Sequence, residues 1–399
     1  IFFVIFNFIK DQSYSSQNFK SQSKLSKNKI LKNKSSEIIN KNVYYLIFDG
    51  MSSLDYVLKQ GVIDNKNLYL NKYKSQNLTY VENSISNYNN TTLSVASIFN
   101  LSSKETMMPS YEKYNNNKNF YPNFLSKRKN NLSEILRINN YKFYWLNDKY
   151  YKCNTVFEYN VNCYKNDFFT YFVSLNKTYF HNHLFSIFLK KFINNKKNNS
   201  VIFEFVNNPK RIIENLKKDN DKNLFIFGHI ILPHPPWIFD ENCKTKINND
   251  NSGMVDSNLE SSDEYLSGYK NNYICSLKLI DDLISSIGAL DPDSLIIVQG
   301  DHGINLNIQR KIGYFYNGLV KDEETMNENI ELIKDRSMIF NLIKDNDKCK
   351  NKLNANTNSN TAVFVLNCLF NLDLEYEKKM HHISFSPLQQ NYGTVIRAF

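Results

Sequence analysis

Two apolar runs in this chain of 399 residues stop at an aspartate. Leu295-Ile296-Ile297-Val298-Gln299 leads into Gly300-Asp301-His302-Gly303, and Val43-Tyr44-Tyr45-Leu46-Ile47-Phe48 leads into Asp49-Gly50. Asp and His side by side are common ligands of a divalent metal. Each also has a plain reading: Asp301 and His302 as a solvated turn, Asp49 as a turn former or helix N-cap. A hydroxyl stands in a third stretch, Asn89-Asn90-Thr91-Thr92-Leu93-Ser94-Val95-Ala96-Ser97-Ile98-Phe99. Leu93, Ala96 and Phe99 fall at helical spacing, which puts Thr91 near a helix N-terminus. Backbone N–H groups and the positive end of the dipole favour an alkoxide or a phosphate there. A metal beside the hydroxyl would make it a nucleophile. Threonine is equally an ordinary N-cap, and position alone favours that role. The fourth stretch is Pro233-His234-Pro235-Pro236-Trp237, where three prolines stiffen a loop and set where the His234 imidazole points. His229, in the apolar run just before it, stands in reserve.

These residues can meet only if their segments are strands and helices of one sheet. The runs Val43–Phe48, Tyr141–Leu146, Leu224–Leu232 and Leu295–Val298 are apolar and rich in β-branched and aromatic residues, as buried strands are. Strands buried on both faces belong to a mostly parallel sheet, whose carboxyl edge is where open α/β folds build sites. Tyr80 to Tyr88 reads as a strand fading into a polar turn. Helical spacing of Leu132, Ile135, Leu136 and Ile138 predicts a helix before the strand at 141–146. Ile274, Leu277, Ile280, Ile284 and Ile287 define an amphipathic helix over Asn272–Leu290, stopped by Asp291-Pro292-Asp293. The acidic, Ser-rich stretch Ser257–Glu264 reads as an exposed loop. Beyond Gly303 a loop is expected to about Asp335, then an element at Met338–Leu342 and a helix at Ala362–Phe370. His181 and His183 read as structural or surface residues, and no internal repeat is present.

Composition narrows the class. A hydrophobic fraction of 42% excludes wholesale disorder. The formal charge of +10 comes mainly from lysines scattered among Asn, Ile, Tyr and Phe, without the clustering or motif of a nucleic-acid module. No nucleic-acid partner is expected, whereas a basic surface suits an anionic membrane or glycan. Residues 1–10 are mostly apolar but too few to cross a bilayer. They read as the end of a transmembrane helix, a fragment boundary or a buried strand. A polar linker follows over 11–41, and a catalytic domain over 42–399. Six cysteines contain no C-x-x-C pair, which argues against a zinc ribbon or thioredoxin motif. In an oxidising compartment Cys153–Cys163 and Cys349–Cys368 are the natural local pairings.

Four motifs in this order carry a resemblance. Val-Tyr-Tyr-Leu-Ile-Phe-Asp-Gly at 43–50, Ser-Asn-Tyr-Asn-Asn-Thr-Thr-Leu-Ser-Val-Ala-Ser at 86–97, His-Ile-Ile-Leu-Pro-His-Pro-Pro-Trp-Ile-Phe-Asp at 229–240 and Gln-Gly-Asp-His-Gly at 299–303 resemble the sulfatase-like hydrolases and transferases of the alkaline phosphatase superfamily. The likeness is to the membrane-anchored bacterial branch, akin to lipoteichoic acid synthases and phosphoethanolamine transferases. It implies an alkaline phosphatase-like α/β fold, with a central, mostly parallel sheet flanked by helices. It implies that Asp49, Thr91, Asp301 and His302 bind one divalent metal ion, Mn²⁺ or Zn²⁺. Thr91 would be the nucleophile of a covalent phospho-enzyme, with His234 and His229 touching substrate or protonating the leaving group. An extracytoplasmic domain, anchored in the membrane and acting on an anionic lipid or glycan, goes with that branch.

The chain also departs from the family pattern. Sulfatases that use formylglycine carry Cys/Ser-x-Pro-x-Arg, whereas Thr91 is followed by Thr92-Leu93-Ser94-Val95. Phosphoryl transfer is therefore favoured over sulfate ester hydrolysis. Asn89 and Asn90 stand where relatives often carry Pro and Gln, which leaves Thr91 or Thr92 open as nucleophile. Two other classes compete: a sulfatase-like hydrolase of another anionic ester, and a non-catalytic basic protein that binds anionic polymers and has kept the fold.

Overall fold

The computed structural model describes residues 41–103, 130–146, 162–164, 223–235, 237, 239–244, 262–304, 306, 330–344, 349, 353–384 and 395–397. The stub and linker over 1–40, the Cys153–Cys163 pairing, and His181 and His183 lie outside them. In chain order come β1 (Val43–Phe48), α1 (Leu54–Lys59), α2 (Lys66–Ser75), β2 (Thr79–Tyr80), α3 (Thr91–Asn100), α4 (Asn131–Ile138), β3 (Lys142–Leu146) and β4 (Asn162–Tyr164). Then follow β5 (Leu224–Ile230), α5 (Ser262–Leu290), β6 (Leu295–Gly300), α6 (Ile330–Ser337), β7 (Asn341–Lys344), α7 (Asn358–Phe370), β8 (His382–Ser384) and β9 (Val395–Arg397).

Strands β2 to β7 and β1 make one seven-stranded sheet in the order β2-β7-β6-β1-β5-β3-β4. The pairings of β6, β1, β5, β3 and β4 are parallel, and those of β7 with β6 and β2 antiparallel. Every residue of β1 is buried because both faces are covered. Tyr44, Leu46 and Phe48 pack with Tyr269, Tyr273, Leu277 and Ile280 of α5. Val43, Tyr45 and Ile47 point the other way, into a core shared with α3, α4 and α7. No described helix is long and apolar enough to cross a membrane.

Several boundaries differ from the sequence reading, each for a visible reason. Helix α5 begins at Ser262, inside the stretch read as an exposed loop, because Asp263 and Glu264 suit the positive end of its dipole. Thr91 is not an N-cap. Asn90 is, and its side chain accepts from Leu93 N at 3.0 Å, so the Thr91 hydroxyl lies one position inside the helix. The strand near Tyr80 is confined to Thr79 and Tyr80, with isolated bridges further on at Ile85 and Tyr88. Helix α6 occupies Ile330–Ser337, part of the stretch expected to be loop, and the element expected at Met338–Leu342 consists of isolated bridges at Met338 and Ile339 followed by β7 from Asn341.

Among the described residues, two disulfides fasten connecting segments to helices. Cys349–Cys368 is the local pairing expected, and Cys243–Cys275 fastens the segment after β5 to α5, with Cα atoms 5.3 and 5.0 Å apart respectively. Behind the loop after β6, Gly303 is packed hard against neighbouring backbone. A Cβ there would lie 2.5 Å from Arg336 O and 2.7 Å from Met338 O. Gly303→Ala should therefore destabilise the fold by about 2 kcal/mol, within the range typical of overpacking, read as a lower urea midpoint; an unchanged midpoint would contradict this packing.

Candidate metal centre

The parallel register decides which residues meet. Phe48 is paired with Gly300 of β6 on one side and with Ile230 of β5 on the other. Asp49 and Asp301, the next residues along, therefore leave the sheet as neighbours. Gly50, at φ +71°, turns the chain away at once. Its N–H donates to Asp301 Oδ1 at 2.9 Å, and His302 N donates to the same oxygen at 2.8 Å. Both bonds fall on Oδ1, while buried Oδ2 has no hydrogen-bond partner among the described residues.

Imidazoles close in from two directions. His302 Nε2 lies 3.6 Å from Asp301 Oδ2 and 3.7 Å from Asp49 Oδ1, and His229 Nε2 lies 3.8 Å from Asp49 Oδ2. His302 Nδ1–H donates to Gly303 O at 2.9 Å, which leaves Nε2 as the lone-pair nitrogen facing the carboxylates. Thr91 Oγ1 is 3.3 Å from that nitrogen. Ligand atoms of Asp49, His229 and Asp301 all lie within 4.8 Å of one another, and all three residues are buried. Such a set fits a divalent cation: hard oxygens, borderline nitrogens, and a buried carboxylate oxygen left over for a ligand. Of the sequence candidates, Asp49, Thr91, Asp301 and His302 are thus brought together. His229, which the sequence placed near substrate, joins them inside the donor group.

Electrostatics favour the metal-binding protonation states. Burial alone would raise the Asp301 carboxyl, but His302, His229 and the Gly50 N–H outweigh it and hold it below the usual range. Burial pushes His302 down and the positive charge of Arg336 adds to this, against Asp301 and the Gly303 carbonyl. A deprotonated carboxylate and a neutral imidazole are what a metal requires.

His234 stands at the rim. Its backbone N–H donates to Asp49 O at 3.0 Å, and its Nδ1–H to Pro235 O at 2.7 Å. Its loop is anchored by buried Trp237, edge-on to Tyr265 of α5 at 4.3 Å between ring centres. Tyr269 and Tyr273 of the same helix brace the turn after β1, donating to Gly50 O at 3.0 Å and Ser52 O at 2.9 Å.

Sequence reasoning missed the wall behind the site, built by Thr357-Asn358-Ser359-Asn360-Thr361 at the start of α7. Asn358 joins both halves of the site. Its Nδ2 donates to Gly300 O at 3.0 Å and its Oδ1 accepts from Asn87 N at 2.9 Å. Asn87 Oδ1 accepts from Ser359 N at 2.8 Å and from Ser97 Oγ of α3 at 3.2 Å. Gln299 reaches Thr361 Oγ1 at 2.8 Å. The only signal available was an unusually polar run at the head of an apolar helix. His381 is also buried here, donating from Nδ1 to Ser86 O at 2.8 Å.

The carboxyl-edge cluster on a largely parallel sheet defines the class: an α/β protein of the alkaline phosphatase-like fold. The Sulfatase family model matches residues 41–329, and the chain belongs to that family. Among solved structures it is similar to the C-terminal periplasmic domain of EptC from Escherichia coli, at 14% identity over 91% of this chain and 94% of that one, with a TM-score of 0.54. The same domain in complex with zinc gives 12% identity, the same coverage of both chains and a TM-score of 0.56. The corresponding domain of the phosphoethanolamine transferase EptC from Campylobacter jejuni gives 13% identity over 85% of this chain and 92% of that one, at 0.51. No curated protein sequence matches the chain.

Two outcomes follow from this geometry. Asn358→Leu removes both bonds across the site, and metal affinity measured by chelator competition should fall roughly 10- to 100-fold, as for lost supports of metal ligands; unchanged affinity in a folded variant would show that the link is not needed. The second concerns acid stability. Burial pushes His381 down to about 3 from an ordinary 6.5, against its bond to Ser86. The unfolded chain then carries the extra proton between those values, so stability falls as pH drops through that window, by about 1.4 kcal/mol per unit. In metal-free protein, urea denaturation across that range should show a shallower acid slope for His381→Gln, and an equal slope would refute the assignment.

Proposed function

We propose that this chain is a metal-dependent phosphotransferase or phosphoesterase acting through Thr91 on an anionic ester of a cell-envelope lipid or glycan. The observation that carries the reading is the convergence of the Thr91 hydroxyl with two buried carboxylates and two imidazoles. Asp49, Thr91, Asp301 and His302 hold the ion, with His229 beside Asp49 as a further donor or substrate contact. Mn²⁺ or Zn²⁺ suits these oxygens and nitrogens, and the zinc complex of the E. coli EptC domain supports the choice. When bound, the cation lowers the pKa of the Thr91 hydroxyl and neutralises the anionic ester.

Thr91 gives its proton to solvent and its alkoxide attacks the phosphorus, and the bond from phosphorus to the leaving alcohol breaks. His234, at the rim of the site, enters the step as the imidazolium and gives that leaving oxygen the proton of Nε2, while its Nδ1–H stays on Pro235 O. The phosphoryl group on Thr91 Oγ then passes to an acceptor alcohol or to water, and the hydroxyl is restored. Position in the first turn of α3 helps, because the positive end of a helix dipole favours negative charge. Transfer to an alcohol is supported by the transferase among the structural neighbours, and phosphoryl over sulfate chemistry by the absence of Pro and Arg after Thr91. Residues 42–399 form the catalytic domain, which acts outside the cytoplasm.

The test is Thr91→Ala with metal analysis and mass spectrometry. The purified domain should contain about one equivalent of metal, form a phosphoryl adduct on Thr91 with a phospholipid donor, and lose activity on chelation. The Ala variant should lose adduct and turnover by about 10³-fold or more. Absence of metal and of adduct would overturn the proposal.

A further inference from the structure

Two carboxylates cancel the charge of one divalent ion, so an anionic ester arriving at Thr91 needs another positive partner. Arg336 occupies the right place. Its carbonyl accepts from Gly303 N at 2.9 Å, which ties it to the loop that carries Asp301 and His302. Its guanidinium reaches the other half of the site: Nη2 lies 3.1 Å and Nε 3.4 Å from the carbonyl oxygen of Asn89, two residues before Thr91. The side chain is half-buried, at the end of α6, so a ligand at the site can approach it.

We propose that Arg336 is an anion-binding residue of this site, its guanidinium holding the non-bridging oxygens of the phosphoryl group presented to Thr91. This rests on the reading of the site as one for anionic esters. A guanidinium suits the task because it can donate to more than one oxygen at once, with Nε and Nη2 turned to Asn89 O, and it keeps its charge at any working pH. Anchored at both ends, it loses little freedom when the anion arrives. Substrates lacking an anionic oxygen beside the scissile bond would forgo this contact.

The experiment uses metal-loaded protein and inorganic phosphate as the probe. Phosphate affinity is measured by calorimetry for wild type, Arg336→Gln and Arg336→Lys, with metal content and thermal midpoint recorded for each. Wild type should bind phosphate. Arg336→Gln should bind at least about tenfold more weakly with its metal content intact, and Arg336→Lys, which keeps the charge but not the guanidinium, should fall between. Equal affinity in wild type and Arg336→Gln would overturn the proposal while leaving the reading of the site in place. Should Arg336→Gln fail to fold, Arg336→Lys decides: affinity equal to wild type overturns the proposal, and a loss with metal retained supports it. A metal-loaded wild type that binds no phosphate would remove the reading of the site, and this assignment with it.

Discussion

Phe48 is paired at once with Gly300 and Ile230, and that register sets two aspartates beside each other at the edge of three parallel strands. Both carboxylates are buried. Like charges brought this close in a medium that screens poorly repel strongly, and the surrounding structure is arranged to offset the repulsion. Two backbone N–H groups point at one oxygen of Asp301, two imidazoles approach from the flanks, and an arginine sits behind. A slip of one residue in either pairing would send one carboxylate to the opposite face of the sheet and undo the cluster.

The wall behind the cluster answers a second constraint. Among the described residues, the segment from Asn87 to Thr91 is paired through the single bridge of Tyr88 to His382, so side chains must hold it against the sheet. Asparagines do this, since an amide donates and accepts at once and can bridge two strands of backbone. Asn358 links Gly300 to Asn87, and Asn87 links onward to α3 and α7. Buried networks of this kind are costly when half satisfied and stiff when complete. This one also draws the last part of the chain into the site. Asn358 and His381 lie beyond the 41–329 region matched by the Sulfatase family, so the matched region alone does not complete the centre.

Much of this was legible in the residues. The strands ending in Asp49 and Asp301 could be read because a doubly buried strand is a continuous apolar run, and the helix after Asn90 because its apolar spacing is regular. What brought these segments together as one site was the order of four motifs, not any single run. His229 was harder to place. It sits inside an apolar strand, paired with Ile47, and only the register shows that its ring turns toward Asp49. Asn358 and Arg336 left no readable trace. Their roles depend on which distant backbone they touch, and a polar run or a lone arginine has too many ordinary explanations to stand out.

The disulfide between Cys243 and Cys275 has a bearing on when the site is finished. It fastens the far end of the segment carrying His234 and Trp237 to the helix whose tyrosines brace the turn after Asp49. Before that bond forms, the rim is held to α5 by the packing of Trp237 on Tyr265 and by weaker contacts. Thiols stay reduced in a cytosol and pair in oxidising surroundings. Maturation of the rim is therefore tied to place: a chain kept among reduced thiols would have its pair of aspartates set by sheet register but a looser margin above them. The covalent stitch would come only on reaching an oxidising compartment.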